Sequence, residues 1–352
     1  MSKCKYTSIG GQALIEGIMM KSPEKTSMAV RLPDGTIDIS EMKQTSLRKK
    51  YKILNIPILR GIVGFVESMV QGYKAMMISA EKSGFADLED EKATEEEKKN
   101  TSKTTKALLN TVMIIGTVLG VVLSVVLFMY LPRLFVGGIE KVFDTSLSKL
   151  ARSSIEQLLK LTIFVGYMWA VSFMKDIKRV FMYHGAEHKT IFCYEKGLEL
   201  TVENVRKMSR FHPRCGTSFM ILMILISVIF STVVQIIFPQ VYAIGWLWVV
   251  IKILLVPLIC GVGFEVLKMC GRYDNVFTKI ISAPGLWMQR ISTKEPEDGM
   301  IEIAIAALRD CEPKNPDVDR EIDKCCCAPE MVEETEVADE NGLEENTEDD
   351  NI

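Results

Sequence analysis

The stretch Ala107–Leu131, with the sequence ALLNTVMIIGTVLGVVLSVVLFMYL, decides the fold class. It holds 25 residues without a charge. As a helix it would extend roughly 37 Å, which is enough to cross the hydrocarbon core of a bilayer. Cys215–Phe238 is a second charge-free run. Because a soluble core does not need two such runs, the sequence predicts a mainly α-helical, polytopic membrane protein.

Two further apolar segments bring the prediction to about four transmembrane helices, in a membrane domain covering residues 107–283. Leu161–Met174 needs flanking residues to cross a bilayer, and Val241–Leu267 is apolar apart from Lys252 and Glu265. Ionisable side chains at membrane depth are costly, so each needs a partner or a task. The lipid bilayer is therefore the first predicted partner of this chain.

Basic residues set the predicted orientation in the membrane. They crowd the connection 175–214 between the second and third spans, which the positive-inside rule places in the cytoplasm. Both termini are then cytoplasmic, the segment from Arg133 to Arg152 is an external loop, and the expected location is the inner or plasma membrane. Because topology accounts for the basic residues, they do not indicate nucleic-acid binding.

The first 54 residues (1–54) are predicted to form a small cytoplasmic β region. Ser27–Leu32 and Thr36–Ser40 alternate in polarity on either side of a Pro-Asp-Gly sequence, which is typical of a hairpin turn. Gly10–Met20 is typical of another strand with flexible ends. Glu16 within it is either a functional carboxylate or a residue on the outer face of that strand.

One amphipathic helix is predicted in the segment 55–82, over residues Ile58–Lys82. Its apolar side chains share one stripe and its charged side chains lie opposite. Such a helix either lies in the membrane interface or covers the small sheet, and the sequence fits both interpretations.

The remaining segments are soluble in character. Residues 83–106 are a charged linker, 284–312 form a C-terminal cytoplasmic segment, and 313–352 hold fifteen acidic and three basic residues. Such a tail cannot bury enough apolar surface to fold. Cys325–Cys327 within it could bind metal or carry lipid, but a reduced, unstructured run is the expectation. The nine cysteines of the chain are scattered and odd in number, which indicates a reducing compartment.

The stretch Tyr183-His-Gly-Ala-Glu-His-Lys-Thr190 carries the strongest chemical signal. His184 and His188 are two of only three histidines, and their spacing places both imidazoles on one helix face together with Glu187. Two imidazoles one turn apart can chelate zinc, and the carboxylate can act as a ligand or a base. The order His-x-x-Glu-His is that of the inverted zincins.

Three residues are candidates for the remaining ligand positions: His212, Cys215 and Glu265. The predicted topology brings them to the cytoplasmic side, close to the histidine pair. Cys215 can instead be a small packing residue at a helix end, and Glu265 can instead form an ion pair with Lys268 or Arg272. The expected cofactor is a divalent metal, zinc by the type of its ligands.

Four sequence blocks resemble those of the bacterial YqhQ-like family: Gly10–Pro23, His184–Lys189, His212–Phe219 and Pro284–Pro296. The resemblance covers residues 5 to 310, and it implies a polytopic membrane protein and a metal-dependent enzyme. It also implies that Gln12, Glu16 and Glu295 belong to the neighbourhood of the site. Arg214 lies within the third block and is therefore also predicted in the neighbourhood of the site.

Two functions of different classes fit these residues. The first is a metal-dependent hydrolase, such as a peptidase, in which His184 and His188 hold zinc with a third ligand and Glu187 is the general base. The second is a non-catalytic membrane protein whose metal site is structural or sensory, and whose sheet or tail recruits a cytosolic partner. The oligomeric state does not follow from the sequence.

Overall fold

The computed structural model describes residues 4–44, 47–84, 102–238, 240, 244–272, 275–313 and 320–322. Most of the predicted linker 83–106 and of the predicted tail 313–352, including Cys325–Cys327, lies outside these residues. The described part is mainly α-helical and has a small antiparallel sheet near the N-terminus, as the sequence predicts.

Short strands form two antiparallel sheets. The strands are β1 (Cys4–Tyr6), β2 (Gly10–Leu14), β3 (Gly17–Lys21), β4 (Thr26–Arg31), β5 (Ile37–Met42) and β6 (Arg320–Ile322). The larger sheet has the order β2-β3-β4-β5, and β1 pairs with β6.

The strand predictions hold for one hairpin and fail for the other. β4 pairs with β5, and Gly35 takes a φ of 86° in the turn between them, as the Pro-Asp-Gly sequence predicts. The stretch Gly10–Met20, however, is not one strand, because it reverses direction between Leu14 and Gly17. Glu16 makes this turn with a φ of 50°, so it is a turn residue and does not lie on a strand face.

The helices follow the larger sheet in the chain. They are α1 (Leu47–Lys50), α2 (Leu59–Lys82), α3 (Ser102–Val125), α4 (Leu131–Val142), α5 (Lys149–Val171), α6 (Lys175–Glu195), α7 (Val202–Arg206), α8 (Gly216–Ile237), α9 (Gly245–Arg272), α10 (Val276–Ser292) and α11 (Asp298–Cys311). A 3-10 turn, Lys52–Asn55, precedes α2, and a π-helical turn, Val126–Tyr130, joins α3 to α4.

Three helical stretches are long and apolar enough to cross a membrane: Ile114–Val142, Gly216–Ile237 and Val250–Cys270. The pair formed by α5 and α6 makes a fourth if it counts as one span bent by 99°. After this bend α6 packs against β2 and α11, so α5 alone supplies the apolar part of the pair. The described residues thus include three to four helices suited to a bilayer by length and composition.

The segment predicted as a loop from Arg133 to Arg152 is helical over its first part, so the loop prediction is wrong there. Its external placement stays a prediction. The apolar helix does not end at Leu131 but continues to Val142 through the π-helical turn. Pro132 does not stop it, because proline is tolerated in the first turn of a helix, where α4 begins. The predicted second span also begins earlier, at Lys149, where Ser148 caps the helix by accepting from the Ala151 N–H.

The core of the soluble part holds α6 and α11 against the sheet. Side chains from all three elements are fully buried together, among them Ile18 and Ala29 of the sheet, Tyr183 of α6, and Ile301 and Leu308 of α11. Burial of this apolar surface stabilises the arrangement, because each large apolar side chain contributes about 1.5–3 kcal/mol on leaving water. The helix that carries the histidine pair is therefore anchored on the sheet.

The helix α2 connects the sheet to the apolar helices. It packs on α9 and also on β2 and β4, and it buries a row of small residues, Gly61, Gly64, Gly72, Ala75 and Ser79. Part of its apolar stripe is uncovered, since Met69 is 60% exposed. The helix thus covers the sheet, and lipid contact of the exposed stripe stays a prediction.

A close crossing joins α2 to α9. Ile58, just before α2, has a φ of 72°, which is strained for a β-branched residue. It lies against Gly261 of α9, where an added Cβ would be 2.7 Å from the Ile58 carbonyl oxygen. Two residues further on, Arg60 Nε donates to Glu265 Oε1 at 2.6 Å. Position 261 needs glycine because the backbone at Ile58, directly before α2, leaves no room for a side chain.

Replacing Gly261 by alanine should therefore destabilise the protein. We expect the free energy of unfolding in detergent micelles to fall by about 1–3 kcal/mol, the usual cost of overpacking a tight contact. Gly116→Ala is the matched control, since a Cβ on Gly116, also in a membrane-type helix, would meet nothing within 4 Å. Equal unfolding midpoints for the two variants would contradict the close crossing.

Candidate metal centre

The helix α6 is buried along most of its second half. Every residue from Gly185 to Glu195 is buried, which is typical of a helix enclosed by protein on all sides. At Gly185 the chain that follows α10 crosses α6, and a side chain at this position would collide with the Lys294 carbonyl oxygen. Lys294 N–H donates to the Phe181 carbonyl at 2.9 Å. The Gly in the His-Gly-Ala-Glu-His sequence thus allows the segment after α10 to reach the histidines.

Three side chains converge into a group that can hold a metal ion: His184, His188 and Cys215. One ligand atom from each lies within 4.8 Å of the others. His184 Nε2 is 3.1 Å from Cys215 Sγ, and the two imidazole centroids are 4.4 Å apart. Cys215 caps the N-terminus of α8, where its sulfur accepts from the Thr217 N–H at 3.4 Å. The pair predicted on one helix face is therefore completed by the start of another helix.

Backbone carbonyls orient both imidazoles. His184 Nδ1 is 2.8 Å from the Ser292 oxygen, and His188 Nδ1 is 2.5 Å from the Arg210 oxygen. A carbonyl only accepts, so we assign the proton of each neutral ring to Nδ1, which leaves both Nε2 atoms free as ligands. Histidine ligands usually have such an outer partner, which fixes the ring and raises its basicity.

Charge complementarity links Cys215 to the two imidazoles. Burial alone would raise the pKa of Cys215, but His184 and His188 outweigh it and lower the pKa well below the usual value. Burial alone would lower the pKa of His184, but the Cys215 thiolate raises that pKa to about 9. The thiolate is the form of cysteine that binds metals, so the lowered pKa of Cys215 favours the binding of a metal cation.

Glu187 lies beside the group and is buried. Burial raises its pKa, and the two neighbouring histidines oppose that shift. The backbone of Gly11 in β2 hydrogen-bonds its carboxylate, and a Cβ on Gly11 would lie 2.8 Å from its Cδ. Within the part of the chain that the structure describes, Oε2 of Glu187 has no hydrogen-bond partner. This oxygen can therefore accept a hydrogen bond from a molecule that binds beside the group.

His212 is close to the group but is not part of it. Its ring packs on Phe192 with centroids 4.5 Å apart, and its Nδ1 accepts from the Arg214 N–H at 3.3 Å. Its Nε2 faces Glu195 Oε2 at 3.6 Å. Burial is the main reason why the pKa of His212 falls to about 4, so the ring is neutral. The structure therefore places His212 beside the three-residue group, packed on Phe192, and its role as a ligand stays a prediction.

A buried ion pair, Glu195 with Arg214, lies behind His212. Arg214 contacts the Glu195 carboxylate and donates through Nη1 to the Thr7 carbonyl at 2.6 Å. Thr7 N–H in turn donates to Glu195 Oε1 at 3.3 Å. Burial alone would raise the pKa of Glu195, but the neighbouring His212 and Arg214 side chains outweigh it and lower that pKa below the usual value. Arg214, predicted in the site neighbourhood, thus joins the end of α6 to the chain before β2.

The structure places Glu265 away from the histidines. It pairs with Arg60 of α2, whereas the ion pair considered from the sequence was with Lys268 or Arg272. The predicted ligand Glu265 is therefore an ion-pair residue of the crossing between α2 and α9. A single sequence does not show that position 60 reaches position 265, because the contact depends on how two distant helices pack.

The other predicted neighbours surround α6 at different distances. Glu16 receives hydrogen bonds from Arg179 at 2.5 and 2.6 Å and from the Tyr183 hydroxyl at 3.1 Å, one turn before the histidine pair. Gln12 lies against α2, where its side chain fills the space left by Gly72, so it is outside the group.

Glu295 forms ion pairs with residues that adjoin the group. It pairs with Lys189 at 2.5 Å and with Arg210 at 2.8 Å, and the carbonyl of Arg210 orients His188. Lys189 also donates to the Arg206 carbonyl at 3.0 Å. Glu295 thus secures the loop that holds the second imidazole.

Sequence reasoning missed four of the residues that build this site. Ser292, Arg210 and Gly11 act through backbone atoms, which the residue type does not reveal. Glu195 is seven residues after His188 and therefore on the same side of α6, a spacing that marks it as a candidate once α6 is known to be buried.

These features define a class: a protein with membrane-type helices and a His/His/Cys group that can hold a metal ion. The chain belongs to the family described as "Protein of unknown function (DUF1385)", which matches residues 56–314. It is 36% identical over 312 residues to "Uncharacterized protein YqhQ" from Bacillus subtilis (strain 168), covering 88% of this chain and 94% of the relative. The predicted family resemblance is confirmed. No solved structure matches the chain.

Proposed function

We propose that this protein is a metal-dependent hydrolase of the plasma membrane, with a zinc site at the cytoplasmic face. The observation that carries the proposal is the convergence of His184, His188 and Cys215 next to a buried carboxylate, Glu187, that has an oxygen without a hydrogen-bond partner among the described residues. The proposal includes two predictions from the sequence. Both termini are cytoplasmic, and the chain is divided into the segments predicted above, from the 1–54 β region to the 313–352 tail.

The donor set supports zinc. Two imidazoles and one thiolate suit a borderline-soft divalent ion, and three protein ligands are the usual number in catalytic zinc sites, which keep a fourth position open. When bound, zinc lowers the pKa of a coordinated water to about 7 and polarises the bond to be hydrolysed. The carbonyls of Ser292 and Arg210 hold the two imidazoles in place for this task.

Glu187 is assigned the role of general base. Its carboxylate is oriented by Gly11 on one side, and its free oxygen can accept the proton that the attacking water loses. It can then return that proton to the leaving group. Because Glu187 is buried, little solvent competes for its oxygen.

The change Glu187→Gln tests this assignment. We expect the variant to keep its zinc, measured by elemental analysis, and to lose at least about 100-fold in the hydrolysis of an internally quenched peptide library, since general bases contribute about 10²–10⁴. Glu302→Gln, an exposed change on α11, is the control and should match the wild type. Loss of zinc in the Glu187 variant would make Glu187 a ligand instead, and absence of hydrolysis by the wild type would reject the peptidase form of the proposal.

The second candidate is a non-catalytic protein whose metal is structural or sensory and whose sheet or tail recruits a cytosolic partner. The burial of the group favours it, because His188 and Cys215 are only 2% and 5% exposed. A metal there would clamp α6 to α8. Structural zinc is closed by four protein ligands. Cobalt-substituted protein whose visible spectrum does not respond to azide would therefore support this candidate over the hydrolase.

A further inference from the structure

The segment just before α2 holds basic and large apolar residues side by side. Its sequence is Leu47-Arg-Lys-Lys-Tyr-Lys-Ile-Leu-Asn-Ile-Pro-Ile-Leu59, with four basic residues and no acidic one. The chain passes here from α1 through the 3-10 turn to the first residue of α2. We call this stretch the pre-α2 segment. The proposed hydrolase makes no use of it.

Both ends of the pre-α2 segment are attached to the rest of the structure. At its start, Leu47 N–H donates to Glu67 Oε1 at 2.6 Å, and Arg48 Nε donates to Glu67 Oε2 at 3.3 Å. At its end, Ile58 lies against Gly261 of α9. The residues between these two attachments are therefore held next to α2 and α9.

The second attachment places the segment beside a helix that is suited to a bilayer. Gly261 lies inside the membrane-type stretch Val250–Cys270, nine residues before its end, which corresponds to roughly 14 Å along a helix axis. Leu258, which precedes Gly261 by three residues, is exposed on the same helix. In a bilayer, the end of the pre-α2 segment would thus lie at the depth of the lipid chains.

Three large apolar side chains of the segment are more than half exposed. Tyr51, Ile53 and Ile56 are 51%, 69% and 52% exposed. One exposed apolar side chain is ordinary on a soluble surface, but several together with a charged rim mark a place of interaction. Because these three adjoin a membrane-type helix, the lipid around that helix would also cover them.

The basic residues of the segment add a preference for anionic lipid. Glu67 pairs with Arg48, whereas the segment has no acidic residue to balance Lys49, Lys50 and Lys52. Lys52 is exposed. Basic residues next to apolar side chains that enter a bilayer attract anionic lipid headgroups. The charge of the segment therefore complements an anionic leaflet.

The acidic tail 313–352 has a complementary charge as well. It holds fifteen acidic residues but no aromatic residue. Such a sequence suits the lysines, but it offers little apolar surface to Tyr51, Ile53 and Ile56. A bilayer satisfies both the charged and the apolar residues of the segment, so it is the better occupant.

We propose that the pre-α2 segment is a membrane anchor beside α9. Tyr51, Ile53 and Ile56 insert into the leaflet, and the positive charge of the lysine run binds anionic lipid headgroups. The anchor depends neither on a bound metal nor on hydrolysis, so it stands or falls apart from the hydrolase proposal.

Photocrosslinking from within the segment tests the insertion. The full chain with Ile53→benzoylphenylalanine is reconstituted in vesicles of equal parts phosphatidylcholine and phosphatidylglycerol and irradiated, and mass spectrometry of the digested protein identifies the adducts. We expect lipid adducts at position 53. Ile39→benzoylphenylalanine is the control, because Ile39 is also exposed but points away from α2, whose Lys82 binds the adjacent Asp38 and Ser40. It should give little or no lipid adduct.

Two results would overturn the insertion. One is a lack of lipid adducts at position 53, or equal amounts of them at positions 53 and 39. The other is an adduct at position 53 with a second polypeptide or with the 313–352 tail in place of lipid, which would identify a protein as the occupant.

The change Lys49→Gln/Lys50→Gln/Lys52→Gln in the Ile53→benzoylphenylalanine protein tests the role of charge. We expect the ratio of phosphatidylglycerol to phosphatidylcholine adducts to fall by about fivefold or more, since one basic residue near an anionic surface contributes roughly that factor. Arginine at the same three positions keeps the charge and should keep the ratio. An unchanged ratio in the Gln variant overturns the headgroup contact. Should that variant fail to fold, equal adducts of the two lipids in the parent protein overturn it as well.

Discussion

Replacing Cys215 by serine is expected to reduce the metal content of the purified protein from about one ion per chain to near zero. Serine has almost the same size, but its hydroxyl does not ionise and is a poor ligand for zinc. The sulfur lies 3.1 Å from His184 Nε2, so its removal takes away one of three converging ligand atoms. Elemental analysis by plasma mass spectrometry measures the change, and His184→Ala should give the same loss.

Cys193→Ser is the matched control for this experiment. Cys193 is also a buried free cysteine, but it donates to the Glu199 carbonyl, and burial raises its pKa to about 11. Its replacement should leave the metal content unchanged. If the wild type and all variants contain equally little metal, the protein has no metal centre and the hydrolase proposal fails with it.

Glu195→Ala should destabilise the protein more than Gly261→Ala does. It removes the carboxylate that contacts Arg214, Thr7 and His212, in a network whose Arg214 and Glu195 side chains are only 16% and 8% exposed. Breaking a buried pair by removing one partner costs about 3–5 kcal/mol. The free energy of unfolding should fall by that amount in urea titrations in detergent micelles.

An exposed ion pair serves as the comparison. Asp298 pairs with Arg206 at 2.5 Å, but both side chains are more than half exposed, at 57% and 58%. Asp298→Ala should therefore cost no more than about 1 kcal/mol. Similar losses for the two variants would mean that the buried network does not secure α6.

The local part of the metal centre could be predicted from the sequence. His184, Glu187 and His188 are close because helical spacing alone brings them together. Cys215 could only be named as one of three candidates, because its position depends on how α8 begins relative to α6. His212 and Glu265 fitted the same pattern of residue types, but Phe192 and Arg60 engage them instead. Contacts between distant segments decide among such candidates, and spacing does not reveal those contacts.

For the fold too, features that depend on one segment could be predicted from the sequence. Features that depend on contacts between distant segments could not. The apolar runs predicted the membrane-type helices, since length and hydropathy are properties of a segment. The reversal at Glu16 was missed because neither central residue of that turn, Ile15 or Glu16, is a usual turn former, although Gly17 follows directly. In the structure Arg179 and Tyr183 hydrogen-bond the Glu16 carboxylate. The bend of 99° after α5 was missed as well, because it results from α6 packing on the sheet.

The sheet also has a consequence for biosynthesis. Its buried face, with Ile18 and Ala29, is covered by Ile301 and Leu308 of α11, which are translated roughly 280 residues later. At about 5–20 residues per second, the ribosome needs roughly 14–56 s to supply that cover. During this interval the membrane-type helices between them are synthesised, while the strands have one apolar face that α11 does not yet cover. A nascent chain of this kind would benefit from a chaperone at its N-terminus until the last helix emerges.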